Sequence, residues 1–247
     1  KIRIMKKVRG YFWHKHFNFL YRLYLLYIKH KTIFPKKTYS EWGEDLFILK
    51  YFKNLHKGFY VDIGAYHPFF LSNTQLLFEK NWEGINIDIN PLSVELFNYV
   101  RPNDYNINVA VSNSNRKYIN YYTKNIINTM STTSKFAAKT SYLKGYDVRK
   151  TKCHKLNNII SRSKFKNKKI NFLNIDTEKT ELDVLKSLNF KKYKPELICV
   201  EIHHSGSSPK NEKQLKSHPV YLFLRRKKYK IIWNKGYNFM FAKNGTN

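Results

Sequence analysis

Apolar and polar positions follow two periods along this chain, and the switches between them mark its elements. From residue 40 onwards, apolar runs of strand length alternate with amphipathic stretches of helical period. That alternation predicts an α/β fold, a parallel sheet covered by helices on both faces. The stretch "SEWGEDLFILKYF" (40–52) predicts a helix capped by Ser40, with Trp42, Leu46, Leu49 and Phe52 at helical spacing. Strands are expected at 59–63, 84–89, 107–111, 170–176 and 196–202, with an extra one at 118–122 inside a less regular stretch, 112–150. Ser72-Asn-Thr-Gln75 has the form of a capping box, and Asn90 followed by Pro91 is a second helix start. Further helices are expected near 155–163, 180–188 and 212–227. "YKIIW" (229–233) and "YNFMFA" (237–242) read as a terminal hairpin about Lys235-Gly236.

Ahead of this pattern, "YFWHKHFNFLYRLYLLYI" (11–28) is apolar and aromatic but broken by His14, Lys15, His16 and Arg22, too short an apolar run to span a bilayer. It suits a helix lying at a membrane interface, or one packed on its own domain or on a second subunit. "FPKK" at 34–37 ends it, so the chain divides into a basic, aromatic helical segment, 1–37, and a main domain, 38–247.

Composition narrows the class. Apolar residues make up 42% and aromatics 17%, which excludes general disorder. Lys and Arg number 46 against 17 Asp and Glu, a formal charge of +29. Such a field attracts phosphates, anionic lipid or acidic polymers. The accompanying wealth of Lys, Asn, Ile and Tyr is equally what an AT-rich genome produces. Cys153 and Cys199 lie far apart and form neither a disulfide framework nor a zinc motif, so a reducing, cytoplasmic location is expected, peripheral to the inner face of a membrane if 1–37 docks there. No secretory signal is visible; the chain starts at Lys1, which leaves upstream residues open.

The chemistry is expected at the carboxyl ends of the strands, where open parallel sheets bind ligands. Those ends carry Asp62, Gly64 and Ala65; Asp88; Asp176 and Glu178; and Glu201, His203 and His204. An acid after the second strand can accept hydrogen bonds from both hydroxyls of a ribose. A dinucleotide fingerprint is absent, because Tyr66 stands at the second glycine position and Pro68 follows; a Gly-Lys-Ser phosphate loop is also absent. S-adenosyl-L-methionine carries no phosphate and tolerates a bulkier turn, and the terminal hairpin suits a seven-stranded methyltransferase sheet.

In this setting "SEWGEDLF", "GFYVDIGAYHPFFLSNT", "WEGINIDINP", "RPNDYNINVAVS", "INTMS", "FLNIDTEKTELDVLKS" and "PELICVEI" resemble, in order, the FkbM-type S-adenosylmethionine-dependent methyltransferases over about residues 40–205. The resemblance implies a Rossmann-like seven-stranded methyltransferase sheet with helices on both faces and, most often, O-methylation of sugar hydroxyls. It places Asp62, Gly64 and Ala65 at the methionine end of the cofactor, Asp88 on the ribose and Asn108 near the adenine. Glu44, Tyr66, Ser72, Asn73 and Ile89 complete the expected cofactor set. Two departures stand out. Glu41 replaces a usual glutamine, and Lys179 a glycine that would permit close approach or unusual φ. Lys179 either meets an anion, such as an acceptor phosphate, or points to solvent.

The expected activity is O-methyl transfer to a sugar hydroxyl of a surface glycan or its precursor, phosphorylated or lipid-linked. Asp176 is the first candidate for base or acceptor orienter, with Glu178, Glu201 and His203 behind it. No metal site is expected, a Mg²⁺ between Asp176 and a group at 196–202 being the less favoured alternative. Expected partners are a carbohydrate, an anionic membrane surface and a second copy of the chain. The rivals are a nucleic-acid 2′-O-methyltransferase, disfavoured by His203 and His204 where a lysine would serve, and a non-catalytic methyltransferase-like binding protein.

Overall fold

The computed structural model describes residues 18–124, 129–140, 145–204 and 207–243. Its centre is a seven-stranded sheet built from β1 (Phe59–Ile63), β2 (Glu83–Asp88), β3 (Tyr105–Asn108), β7 (Phe172–Ile175), β8 (Leu197–Glu201), β9 (Tyr229–Lys235) and β10 (Asn238–Lys243). The order is β3-β2-β1-β7-β8-β10-β9, parallel except for β10, which runs antiparallel to both neighbours. β1 is buried along its whole length, as a central strand covered on both faces must be. One core layer packs Val61, Ile85, Ile160, Leu173, Val184, Ile198 and Leu224; the other packs Ile48, Tyr60, Trp82, Phe172, Cys199 and Met240. Both cysteines are free and buried.

The α-helices among the described residues are α1 (Asn18–Leu23), α2 (Glu44–Tyr51), α3 (Gln75–Glu79), α4 (Pro91–Val100), α5 (Lys135–Thr140), α6 (Leu156–Arg162), α7 (Glu181–Lys186), α8 (Glu212–Ser217) and α9 (Pro219–Arg226). Asn90 caps α4 as expected, its side chain accepting from the Leu92 N–H at 3.0 Å. Four local expectations fail. Helix α2 starts at Glu44 rather than at Ser40, because the Asp45 carboxylate gathers the Tyr39 N–H and the Thr38 and Ser40 hydroxyls into a turn ahead of it. Its buried face is Ile48 and Phe52, while Trp42 and Leu46 are exposed. No capping box forms at Ser72–Gln75: Thr74 turns its hydroxyl to Asp62, and the Gln75 carbonyl accepts from Arg101. The expected strand 107–111 is split, since β3 leaves the main sheet at Asn108 and Ala110–Val111 (β4) joins β5 (Tyr118–Thr123) and β6 (Asp147–His154) in a three-stranded sheet, order β4-β6-β5. β6 had no expectation. The helix expected over 212–227 breaks at Pro219, which cannot donate to the preceding turn.

Of the stretch 11–28, residues 11–17 lie outside the described residues. The rest is helical: α1 runs into a π-helical turn, Tyr24–Ile28, closed by Lys29 N–H to Tyr24 O at 2.8 Å. Leu25 and Leu26 are buried against Leu92 and Leu96 of α4, and Arg22 bonds Glu95 at 2.9 Å. His67 fastens this segment to the loop after β1. Its Nδ1 accepts the Phe69 and Phe70 N–H groups (3.1 and 3.0 Å), so its Nε2 carries the proton and donates to Leu25 O at 3.1 Å. No helix among the described residues is long and apolar enough to cross a membrane.

Candidate active site

The carboxyl ends of β1, β2, β7 and β8 open on one cleft of about 480 Å³. It lies where the strand order reverses between β1 and β7, the switch point of an open parallel sheet.

One side of the cleft is built by the turn after β1. Gly64 has φ +79°, and a Cβ there would stand 1.6 Å from the Asp176 carbonyl oxygen. Glycine is therefore required for the turn to pass the end of β7, whatever ligand is bound. The Gly64 and Ala65 N–H groups donate to Ile87 O at 2.9 and 3.2 Å, fixing the turn to β2. Tyr66 follows at φ +52°, and its N–H reaches Asp88 Oδ2 at 2.8 Å; Asp88 Oδ1 takes the Asn90 N–H at 2.7 Å. Burial pushes the Asp88 carboxyl up to about 6, against the pull of those two N–H groups. Asp62 is buried, raised by that burial, and held by Asn174 Nδ2 and Thr74 Oγ1, both at 2.8 Å.

The other side is acidic. After β7, Glu178 and Lys179 are both left-handed, at φ +54° and +76°. Each such non-glycine conformation costs of order 1–3 kcal/mol and persists only where surroundings enforce it. Here Glu181 Oε1 accepts the Thr177 and Lys179 N–H groups (3.2 and 2.9 Å), and Thr132 Oγ1 donates to Glu178 O at 2.7 Å. The chain thus adopts at Lys179 the backbone conformation a glycine would take easily. Opposite, Glu201 Oε2 and His203 Nε2 are 2.8 Å apart, and the imidazole stacks on Tyr237, centroids 4.6 Å apart.

These groups set one another's charge. Asp176 keeps some surface open to the cleft, yet burial raises its carboxyl well above the usual range, with Glu201 and then Glu178 adding to it. Burial, then Glu201, pushes Glu178 up to about 7. For His203, burial pulls the imidazolium down, but the hydrogen bond and charge of Glu201 outweigh it and the net shift is upward. Glu178, Glu201 and His203 each bring a ligand atom within 4.8 Å of the others, a set able to hold a divalent cation.

Of the expected residues, Asp62, Gly64, Ala65, Tyr66, Asn73, Asp88, Ile89, Asp176, Glu178, Glu201 and His203 line this cleft. Glu44, Ser72 and Asn108 stand behind it. Glu44 accepts from Trp42 N–H and Asn238 Nδ2, Ser72 meets Arg101, and Asn108 donates to Asp88 O at 2.9 Å. Arg101 itself is fully buried, donating to Pro68 O, Thr74 Oγ1 and Gln75 Oε1 (2.8, 2.9 and 2.8 Å), so it braces the whole 68–75 loop. Sequence reasoning assigned no role to Arg101, Glu181 or Tyr237. Arg101 and Glu181 both stand in the stretches that resemble the family, "RPNDYNINVAVS" and "FLNIDTEKTELDVLKS". Glu41, Lys179 and the stretch Thr129–Thr133 also line the cleft.

A seven-stranded sheet with one antiparallel strand near its edge, and a polar cleft at its switch point, is the architecture of a Rossmann-like methyltransferase. The sequence pattern of the methyltransferase FkbM domain matches residues 62–231, more than half of the chain, and the chain belongs to that family of S-adenosylmethionine-dependent methyltransferases. No curated protein matches it.

Proposed function

We propose that this protein transfers a methyl group from S-adenosyl-L-methionine to a hydroxyl of an anionic carbohydrate acceptor, a surface-glycan precursor. The observation that carries the reading is the Glu201–His203 pair facing the Asp62–Asp88 side of the same cleft. The residues fit the cofactor. An acidic cleft favours a ligand bearing a sulfonium and an ammonium. Asp88, already fixed by two backbone N–H groups, keeps lone pairs for the ribose hydroxyls. When bound, the cofactor supplies the methyl as an electrophile.

The protein's part is to hold the acceptor oxygen in line with that methyl and to take its proton. With Nε2–H donated to Glu201, His203 offers its Nδ1 lone pair to the hydroxyl proton, and Glu201 stabilises the imidazolium that results. Asp176, whose carboxyl burial and then Glu201 hold well above the usual range, orients the acceptor hydroxyl rather than serving as the base. Beyond Lys179 the cleft continues into a groove where Lys179, Arg116 and Lys186, with Ser112, Ser114 and Ser134, outnumber the one acid among the described lining residues, Asp183, which suits a phosphoryl group on the acceptor.

The test is methyl transfer from labelled cofactor to a panel of free sugars, sugar phosphates, nucleotide sugars and RNA. Transfer to phosphorylated sugars, with an O-methyl product by mass spectrometry, supports the reading. Transfer to RNA alone overturns it.

A further inference from the structure

The segment that His67 fastens to the domain is apolar on both faces, and only one of them is covered. Leu25 and Leu26 face α4 and are buried. On the outside, Phe19, Leu20, Tyr24, Ile28, Ile33 and Phe34 are all more than 40% exposed, six of the fifteen exposed large apolar side chains among the described residues, gathered within sixteen positions. Leu20, Tyr24 and Ile28 recur every fourth residue, so they form one stripe. Lys29, Lys31, Lys36 and Lys37, all exposed, border it. The first 40 residues hold eleven Lys and Arg and no Asp or Glu.

We infer that this outer face docks on an anionic lipid bilayer, lying in the interface plane. An aromatic and aliphatic stripe flanked by lysines is the composition that an interfacial helix needs, the rings entering the headgroup layer and the ammonium groups meeting lipid phosphates. A second copy of this chain is the poorer occupant, because apposing two such faces would bring their lysines together with no carboxylate in the segment to neutralise them. The segment that carries this face packs on a loop of the cleft. The loop that receives the segment through His67, Phe69 and Phe70 also contributes Tyr66 and Leu71 to the cleft lining, so an acceptor carried on a lipid would meet the site near the surface.

Co-sedimentation of the full chain with vesicles tests this without reference to activity. The probes are phosphatidylcholine vesicles, with and without phosphatidylglycerol. The wild type should sediment with the anionic vesicles and not with the neutral ones, and added salt should release it. A lysine near an anionic surface contributes about five-fold in binding, so changing Lys29, Lys31, Lys36 and Lys37 to Gln should weaken it by about a hundred-fold or more. Ile28→Ser with Ile33→Ser and Phe34→Ser alters exposed side chains only and should weaken it at least ten-fold. Equal partition into neutral and anionic vesicles overturns the proposal, as does unchanged binding by the serine variant. A wild type that binds no vesicle and self-associates in sedimentation equilibrium, with the serine variant monomeric, assigns the face to a second copy instead.

Discussion

The cleft and the first 40 residues are opposite in charge, although they share a loop. Six of the 17 acidic residues, Glu41, Asp62, Asp88, Asp176, Glu178 and Glu201, line the cleft, where Lys179 is the lone Lys or Arg among the described lining residues. The segment before residue 41 has no acid at all. A genome-wide drift towards lysine would fill both regions alike. The acids gather in the cleft, where their field favours a cationic ligand, and the basic segment carries the charge that the proposed membrane docking requires. The enclosed acids perturb one another's protonation, whereas the exposed lysines act additively on whatever surface they meet.

The comparison breaks most visibly at His203. His203→Ala should lower turnover by about 10²–10⁴-fold, the usual loss of a general base, and leave cofactor affinity within a few-fold by calorimetry. Asp176→Asn, which keeps a donor, should lose far less. A chelator should change neither; activity abolished by chelation and restored by Mg²⁺ or Mn²⁺ would make Glu178, Glu201 and His203 metal ligands and remove His203 as base. Next in size is Asp88→Asn. It exchanges a charged acceptor for a neutral amide, and hydrogen bonds to charged groups are worth about 1.5–3 kcal/mol, so cofactor binding should weaken roughly 10–100-fold. In the wild type that binding should decline below pH 6, where Asp88 itself protonates.

His67 joins the two regions, and acid should part them. Burial lowers its pKa from 6.5 to about 3. It therefore stays neutral when folded and takes a proton when released, so stability is fully present above pH 6.5 and falls as pH drops towards 3. Each pH unit in that window costs about 1.4 kcal/mol. Hydrogen exchange should show Leu25 and its neighbours losing protection first. His67→Gln, which cannot charge, should remove that dependence.

A smaller shift is expected in Glu201→Gln. Removing the anion beside His203 lowers the imidazolium pKa, so the acid limb of the kcat profile should move to lower pH, while unchanged position would mean that Glu201 does not hold the imidazole. The smallest is Lys179→Gly. Relief of a left-handed residue and the added chain entropy of glycine nearly cancel, leaving stability within about 1 kcal/mol. If Lys179 meets an acceptor phosphate, KM for a phosphorylated sugar should rise while that for a neutral sugar stays level.

The sheet was legible because its central strands are buried on both faces and so stand out as apolar runs; β1 falls at the expected residues and β7, β8 and β10 within one or two, as does the less buried edge strand β9. Turn chemistry was less so. Ser40 and Ser72 carry helix-cap signatures, yet Asp45 and Arg101 draw the surrounding polar groups into longer-range networks that pairwise motifs do not encode. The cleft acids could be named because strand ends are fixed by topology. Their division of labour could not, since which carboxyl stays protonated depends on distances between β7, β8 and the 176–180 loop. Tyr237 was invisible for the same reason: it meets His203 only through the pairing of β10 with β8.

That pairing has a consequence for synthesis. Ile202 N–H donates to Tyr237 O at 2.9 Å, and β10 covers the edge of β8 from Leu197 to Glu201. A ribosome delivers residues 1–236 before the ring that steadies His203 exists. Until the final strand emerges, the nascent enzyme holds a bare, apolar β8 edge, open to pairing with any neighbouring chain. Catalytic competence and protection from aggregation thus arrive together, once β10 has been translated.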